Sequence, residues 1–328
     1  MHGQPLIWVL TDDRAGNVAQ ALGVAESLGR EFKTIPIRYN PLARLPNALT
    51  GASLIGLAPE TRMIFHQPWP DVVIAAGRRT APIARWIKHH AGKPVILAHV
   101  MNPGRRGAED FDVIALPRHD CETPSGDAAN IMRITGAPHR LTTQRLASAA
   151  DVWAARFTAL PRPYVALIVG GATHRRPFPT NLARDLAGQV SRFAESQGGS
   201  VLIASSRRTG AEAEDAIAAA VTAPHHFFRW SVGGDNPYFG FLALADAIVV
   251  TGDSVSMCSE ACASPAPVYI YAPEGMVAPK HARLHHQLYE GGYARAFGRG
   301  GERWTHAPLN AAGEVAHKID ELIRRRFG

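Results

Sequence analysis

The chain has 328 residues, of which 46% are hydrophobic and 19% are charged, and its formal net charge is +7. This length favours two domains of about 150 residues each, and the composition is typical of a folded globular protein. No apolar run reaches the roughly 20 residues that cross a bilayer, and the start of the chain does not resemble a signal peptide, so we expect a cytoplasmic protein.

The cysteines and the arginine pairs narrow the class of protein further. Cys121, Cys258 and Cys262 are not spaced as a disulfide framework or a zinc site, and Cys258 and Cys262 are expected to be buried small hydrophobic residues. Arginine pairs in loops suit phosphate or an anionic membrane surface, although solvated surface charge is the alternative. Nucleic acid is not expected, because no binding motif is present. The pairs and the one triplet are Arg78-Arg79, Arg105-Arg106, Arg175-Arg176, Arg207-Arg208 and Arg324-Arg325-Arg326.

The chain opens with a predicted β-α-β unit. It consists of a strand at 6–10, a polar loop at 11–17, a helix at 18–28 and a strand at 34–37. This unit resembles a nucleotide-binding half, but it lacks the spaced glycines of the dinucleotide fingerprint. Asp12 and Asp13 follow the first strand, where open sheets place their sites. They could act in catalysis or cap the next helix.

The rest of the first half continues as α/β. Residues 40–69 contain many prolines and short apolar pieces, so we expect irregular structure with short helices and allow an exposed apolar surface there. Strands are predicted at 71–76, 94–98 and 111–116, with a helix at 81–90. Polar residues at successive strand ends favour a site at one edge of the sheet. These residues are Asp12, Asp13, Arg78, Arg79, His99, Asn102, Arg118 and His119.

A second α/β domain is expected after a linker at Pro161-Arg162-Pro163. Its first strand, at 164–169, runs into Gly170 and Gly171, which would let a ligand approach the backbone. Another strand, at 200–204, ends in Ser205-Ser206-Arg207-Arg208-Thr209, whose hydroxyl and guanidinium groups suit a diphosphate. The predicted domains are 1–160 and 161–310, and a last helix at 311–328 is expected to pack back on the first domain.

The strongest pattern lies at residues 245–271. An apolar strand ends at Thr251-Gly252-Asp253-Ser254, a helix carries Glu260 about two turns inward, and another strand follows. Asp253 or Ser254 could cap this helix, whose free amides also suit a phosphate. On this stretch alone, capping and ligand binding both remain open. The two α/β halves, each with polar loops at strand ends, suggest two Rossmann-like domains facing a cleft, which is the GT-B architecture.

Several of these blocks resemble the mitochondrial-fission ELM family, which comprises plant proteins and bacterial relatives. The blocks are 205–209, Asn236-Pro237-Tyr238 and 251–261, and the loop at 11–17 and Gly170-Gly171 also fit. The plant proteins are linked to recruiting a dynamin-type division protein. More distantly, the second domain is similar to the donor half of the N-acetylglucosaminyltransferase that completes lipid II. Ser254, Ser256 and Glu260 match the positions that hold its nucleotide sugar, whereas its acceptor-side glycine-rich loop is missing here.

The resemblance implies a metal-independent glycosyltransferase that uses a nucleotide-diphosphate sugar as donor substrate and needs no other cofactor. Asp12 or Asp13 is the expected base, and the acceptor is expected to be lipid-linked or phosphorylated, with peripheral contact at the inner membrane. An inactive GT-B scaffold and a nucleotide-sugar epimerase are the alternatives. The expected donor-binding residues are Gly170, Gly171, Ser205, Ser206, Arg207, Thr209, Thr251, Asp253, Ser254, Ser256 and Glu260.

Overall fold

The computed structural model describes residues 4–120, 128–173, 176–298 and 304–328. These residues form two compact units. The first contains the described residues up to Arg140 together with Asn310–Gly328, and the second is Leu141–Leu309. The division therefore falls about 20 residues before the predicted linker at Pro161-Arg162-Pro163.

The first unit is built on six parallel strands in the order β2-β1-β3-β4-β5-β6. Its three central strands β3, β4 and β5 are buried along their whole length, as near-continuous apolar runs predict for strands covered on both faces. The short edge strand β6 is half-buried and was not predicted. The strands are β1 (Ile7–Thr11), β2 (Lys33–Pro36), β3 (Val72–Ala76), β4 (Ile96–Val100), β5 (Val113–Pro117) and β6 (Ile131–Ile134).

Helices cover both faces of this sheet. On one face α1 contributes Ala21 and Val24 to the core, and on the other face α4 contributes Ile83 and Ile87. The segment between β2 and β3 forms only short helices, as the prolines predicted. Helix α1 begins three residues before the predicted start at Val18. The helices are α1 (Ala15–Ser27), α2 (Asn47–Thr50), α3 (Pro59–Arg62) and α4 (Ala81–His90).

The second unit repeats the plan with six parallel strands in the order β12-β11-β10-β7-β8-β9. Strands β7, β8 and β10 are buried throughout, again because their sequences are apolar on both faces. The strands are β7 (Tyr164–Ile168), β8 (Ser200–Ala204), β9 (His225–Phe228), β10 (Ala247–Thr251), β11 (Val268–Tyr271) and β12 (Arg295–Ala296).

Among the residues that the structure describes, helices α5 to α10 flank this second sheet, and the packing of α5 explains where the units divide. Helix α5 packs against α8, because Trp153 occupies the space that a side chain at Gly240 would need. Phe157, which follows α5, stacks near Phe241 with ring centroids 5.5 Å apart. The helices are α5 (Thr143–Trp153), α6 (Thr180–Glu195), α7 (Ala211–Ala220), α8 (Tyr238–Leu244), α9 (Val255–Ala261) and α10 (Pro279–Glu290).

The last helix, α11 (Ala311–Phe327), belongs to the first unit. Its apolar stripe, which includes Val315 and Ile319, packs into the same core as α1, and Asp320 pairs with Arg30 at 2.7 Å. The predicted return of the C-terminal helix to the first domain is confirmed. Among the residues that the structure describes, neither this helix nor any other has the length and apolar character needed to cross a membrane.

Each sheet has a topological switch point near its middle. From β1 the chain moves outward to β2 and then crosses to β3 on the other side, and from β7 it moves outward through β8 and β9 before crossing to β10. Open α/β sheets bind ligands outside the carboxyl ends of strands at such points. The candidate positions are therefore the carboxyl ends of β1 and β3 in the first unit and of β7 and β10 in the second.

Candidate functional site

At the β7–β10 switch point, loops from three neighbouring strands are hydrogen-bonded into one surface. The Gly170 N–H after β7 donates to Thr251 Oγ1 at the end of β10 at 2.8 Å. From the loop after β8, Ser206 Oγ and Thr209 Oγ1 both donate to the Gly170 carbonyl, the second at 2.9 Å. All four residues were predicted from the sequence to bind the nucleotide-sugar donor, and the structure brings them together.

The two glycines are required by packing within this surface. A side chain at Gly170 would overlap the Asp253 carboxylate. Gly171 has φ = 124°, a conformation that favours glycine, and a side chain there would overlap the backbone of Arg208. The sequence analysis expected a ligand to make this close approach, whereas the structure shows that neighbouring protein groups make it.

Replacing Gly170 is expected to destabilise the second unit. In Gly170→Ala the added methyl group must displace a buried, ion-paired carboxylate, so we expect a loss of about 2 kcal/mol in the free energy of unfolding. Gly16→Ala, where the new methyl group meets nothing within 4 Å, is the matched control and should be neutral or stabilising. Urea denaturation of both variants measures the difference, and equal midpoints would show that Asp253 can move aside freely.

Asp253 and Arg208 form the ion pair at the centre of the surface. The Asp253 side chain is 1% exposed, and its Oδ2 accepts from Arg208 Nη1 at 2.5 Å. Arg208 also donates to the Ala172 carbonyl at 3.2 Å. The other carboxylate oxygen, Oδ1, is buried without a hydrogen-bond partner among the described residues. Asp253 therefore holds the three loops together rather than facing solvent.

The two successive arginines have different environments. The side chain of Arg208 is about one third exposed and is held by Asp253. Arg207 is exposed, and within the described part of the chain its guanidinium group makes no ion pair. From the sequence, Arg207 was assigned to the site individually and Arg208 was not. The arrangement leaves Arg207 as the arginine that can meet a ligand.

Further positive groups lie near His281 on α10. Burial lowers the pKa of His281, the Asp253 carboxylate raises it, and Lys280, Arg208 and Arg176 lower it. Three permanent cations and one carboxylate therefore lie within electrostatic reach of this histidine. The surroundings are therefore positive overall and suit an anion of more than one charge. No sequence pattern pointed to His281, which lies far along the chain from the loops.

Helix α10 also supports the turn after β10. His285 Nε2 lies 2.9 Å from the Gly252 carbonyl, and burial lowers the pKa of His285 to about 4. The imidazole is therefore neutral near pH 7 and donates its Nε2 hydrogen to that carbonyl. A side chain at Gly252 would overlap this ring. Gly252 is thus explained by the close packing of α10 against the turn.

Ser205 has an interior role, which corrects its assignment as a donor ligand. It is 6% exposed, its hydroxyl donates to Glu214 Oε1 at 2.6 Å, and it accepts from the Trp230 N–H at 2.8 Å. Ser231 bonds to the same Glu214 carboxylate. Ser205 therefore positions residues 230–231.

The remaining hydroxyls divide in the same way. Thr209 and Thr251 are buried, and their hydroxyl groups bond to neighbouring backbone groups, so they support the loops. Ser254 caps α9 by accepting from the Met257 N–H at 3.4 Å, which was one of its two predicted roles. Ser256 lies half-buried in the first turn of α9, whose amide groups have no acceptor within the helix.

Glu260 is paired with a tyrosine that the sequence analysis did not assign to the site. The Tyr238 hydroxyl donates to Glu260 Oε2 at 2.6 Å, and Asn236 Oδ1 accepts from the Tyr238 N–H at 3.0 Å. Burial raises the pKa of Glu260 to about 7, while the hydrogen bond from Tyr238 acts in the opposite direction. The blocks 236–238 and 251–261, quoted separately for the family resemblance, therefore meet in one contact.

The first unit has a charged cluster at its own switch point. Asp12, 1% exposed, accepts from the Arg14 N–H at 2.9 Å and from Asn17 Nδ2 at 3.0 Å. Asp13 is 63% exposed and forms a close ion pair with Arg79, which also stacks over the Tyr39 ring. Helix α1 has no side-chain cap. Asp13 is therefore the accessible carboxylate, and Asp12 is fully used within the protein.

Two other predicted strand-end residues are engaged within the first unit. Arg78 donates to the carbonyls of Leu45 at 2.6 Å and Ala43 at 3.3 Å, so it holds the segment after β2. His99 lies within β4, is 1% exposed, and has its pKa lowered to about 3 by burial. Strand β4 was predicted to end before His99, which placed this histidine in the loop at the edge of the sheet. In the structure the strand continues past His99.

Cys258 and Cys262 are buried free thiols, as predicted. Burial raises the pKa of both thiol groups, so they stay protonated near neutral pH and pack as small apolar side chains. Cys121 lies outside the described residues.

Comparison with known proteins identifies a matching protein family and two relatives with similar sequences. The family model described as mitochondrial fission ELM1 matches residues 15–323. An uncharacterized protein of Rickettsia prowazekii (strain Madrid E) is 32% identical over 352 aligned positions, covering 97% of this chain and 98% of that protein. Mitochondrial fission protein ELM1 of Arabidopsis thaliana is 30% identical over 297 positions, covering 84% of this chain and 69% of that protein.

Solved structures with the same architecture include two sugar-nucleotide enzymes. UDP-GlcNAc 2-epimerase of Methanocaldococcus jannaschii, solved with UDP-GlcNAc and UDP, gives a TM-score of 0.55 at 14% identity and covers 97% of this chain and 99% of its own. The Neisseria meningitidis enzyme bound to UDP-GlcNAc gives 0.50 at 12% identity, with 98% and 100% covered. At this level of identity the likeness is one of fold, two Rossmann-like domains of the GT-B type.

Proposed function

We propose that this chain, which belongs to the mitochondrial fission ELM1 family, binds a nucleoside diphosphate sugar at the β7–β10 switch point and transfers the sugar to an acceptor. The observation that carries the proposal is the basic surface at that point, where three loops, an exposed Arg207, the Arg208–Asp253 pair and the cations near His281 converge. The binding of UDP-GlcNAc by proteins of the same fold supports the ligand class.

The diphosphate is the part of the ligand for which this surface is best suited. Arg207 can form charge-assisted, bidentate hydrogen bonds with phosphate oxygens. The amide groups of Val255 and Ser256 in the first turn of α9 add donors without a charge. As the bond between the sugar carbon and the diphosphate oxygen breaks, that oxygen keeps the electron pair, and these groups stabilise the charge it gains.

Glu260 is proposed to bind the ribose. Its carboxylate can accept from sugar hydroxyl groups, and the hydrogen bond from Tyr238 fixes one of its two oxygens. Tyr238 is therefore proposed as the positioning residue for Glu260. The segment that Ser205 and Glu214 hold is proposed to lie along the base.

We also propose a base and a class of acceptor. An acceptor hydroxyl attacks the sugar carbon and loses its proton to a carboxylate, for which Asp13 is the better candidate because it is exposed and Asp12 is not. A lipid-linked or phosphorylated acceptor at the inner surface of a membrane remains the expected class. An epimerase would instead return an isomer of the nucleotide sugar, and a scaffold would return the donor unchanged.

The test is calorimetric binding of a panel of nucleotide sugars to the full chain. We expect Arg207→Met to weaken binding of the preferred donor by about tenfold to a hundredfold, because a charge-assisted phosphate contact is lost. Arg325→Met, which removes an exposed arginine of the first unit, is the control and should leave binding unchanged. No binding of any donor by the unchanged protein, or equal affinity in Arg207→Met, would contradict the proposal.

A further inference from the structure

The exposed aliphatic side chains of the first unit are concentrated in one short segment. In the described residues of that unit, every large hydrophobic side chain that is exposed lies between residues 42 and 63. Two of them are more than 70% exposed, Leu49 at 74% and Met63 at 81%. We call this set the apolar patch; its members are Leu42, Leu45, Leu49, Ile55 and Met63.

The patch is exposed although hydrogen bonds hold the backbone of its segment in place. The Asn40 side chain donates to the carbonyls of Ile55 at 2.8 Å and Leu57 at 2.9 Å and accepts from the Leu42 N–H at 2.9 Å. Leu57 itself is fully buried in the core. The segment therefore sorts its apolar residues into an inward set and an outward set, and the side chains of the outward set are between 38% and 81% exposed.

Three arginine side chains donate hydrogen bonds to backbone carbonyl groups of the segment that carries the patch. Arg78 donates to the Leu45 carbonyl at 2.6 Å, and Arg62 donates to the Ile55 carbonyl at 3.1 Å. Arg106 donates to the Ala48 carbonyl at 3.4 Å, next to Leu49. These cations come from three separate parts of the sequence. Between Leu42 and Met63 the one acidic residue is Glu60.

We propose that the apolar patch and its arginines dock this protein on an anionic membrane surface. Exposed aliphatic side chains can enter the boundary between headgroups and acyl chains, while arginines at the level of the backbone meet lipid phosphates. A protein partner is the less favoured occupant, because the charged side chains that bond to the backbone of the patch are all arginines, which match the phosphates of an anionic lipid surface. The surface deepens the proposed function by naming where a membrane-borne acceptor would be approached, but membrane docking does not require nucleotide-sugar binding.

Co-sedimentation of the full chain with lipid vesicles tests this directly. Vesicles that contain phosphatidylglycerol should bind the protein, and vesicles of phosphatidylcholine alone should not. The double variant Leu49→Ser/Met63→Ser should partition about tenfold or more less strongly. Val152→Ser/Val232→Ser removes two similarly exposed side chains, 64% and 78%, from the second unit and is the matched control. All four positions are exposed, so folding should be retained and can be checked by thermal melting.

The charged part of the surface has its own test. Arg105→Gln/Arg106→Gln should reduce binding to the anionic vesicles and weaken its dependence on salt, whereas Arg325→Gln should do neither. No binding to anionic vesicles would overturn the proposal, and so would equal binding by the patch variant and its control. Neither result would bear on the proposed donor site, because these assays contain no nucleotide sugar.

Discussion

Arg208→Met should lower the free energy of unfolding by about 2 to 3 kcal/mol. The substitution leaves the Asp253 carboxylate, 1% exposed, without its ion-pair partner while its other oxygen already lacks one. Breaking a buried pair in this way costs roughly 3 to 5 kcal/mol, and we take a lower figure because the Arg208 side chain is about one third exposed. The loss should be located in the loops that Asp253 joins.

Arg207→Met is the matched control, since it makes the same chemical change one residue earlier. Because Arg207 is exposed, its replacement should change stability by no more than about 0.5 kcal/mol while weakening donor binding. Urea denaturation measures both variants, and hydrogen exchange in β7 and β10 should show the loss for Arg208→Met. If the two variants were equally stable, the ion pair would not be what holds the three loops together.

The contrast between these two arginines shows where sequence reasoning succeeds and where it ends. The loop at 205–209 could be placed at the end of β8 because an apolar strand precedes it, and hydroxyl and guanidinium groups could be assigned to a ligand surface. The sequence could not show which arginine turns inward, because loops lack the regular alternation that assigns the faces of a strand. That choice depends on Asp253, which is 45 residues away from Arg208.

The fold was more predictable than the site for a related reason. Buried parallel strands such as β3 and β10 appear in the sequence as continuous apolar runs, and the GT-B arrangement followed from finding two such series. The edge strand β6 is half-buried and carries no such signal. Helix α5 lies in the second unit although the predicted first domain extended to residue 160, because no sequence pattern indicated that Trp153 would pack against Gly240.

Glu260 should make the stability of the second unit depend on pH. Its carboxyl group has a pKa of about 7 in the folded protein against an ordinary value of 4.5, because burial disfavours the charged form. Between these values the folded state binds more protons than the unfolded state, so stability falls as the pH rises through this window. The full penalty, about 3 kcal/mol, should be reached above the folded pKa.

Glu260→Gln isolates this effect. The amide carbonyl can still accept from the Tyr238 hydroxyl but carries no charge, so the variant should match the unchanged protein near about pH 4 and exceed its stability by about 3 kcal/mol near about pH 8. His99 and His285, whose pKa values burial lowers, destabilise both proteins equally as the pH falls, and their contribution cancels in the difference. Urea denaturation across this range measures it, and a difference independent of pH would show that Glu260 is charged at little cost.

Glu260→Gln also tests whether the charge on Glu260 is needed for donor binding. If ionised Glu260 binds the ribose, Glu260→Gln should be the more stable protein above neutral pH and yet bind the donor less well, a trade that is common where a site keeps a costly charge. Binding of the donor by the unchanged protein should then release protons near pH 7, because the bound sugar favours the carboxylate. Calorimetry in buffers of different ionisation enthalpy measures that release, and it should be absent in Glu260→Gln.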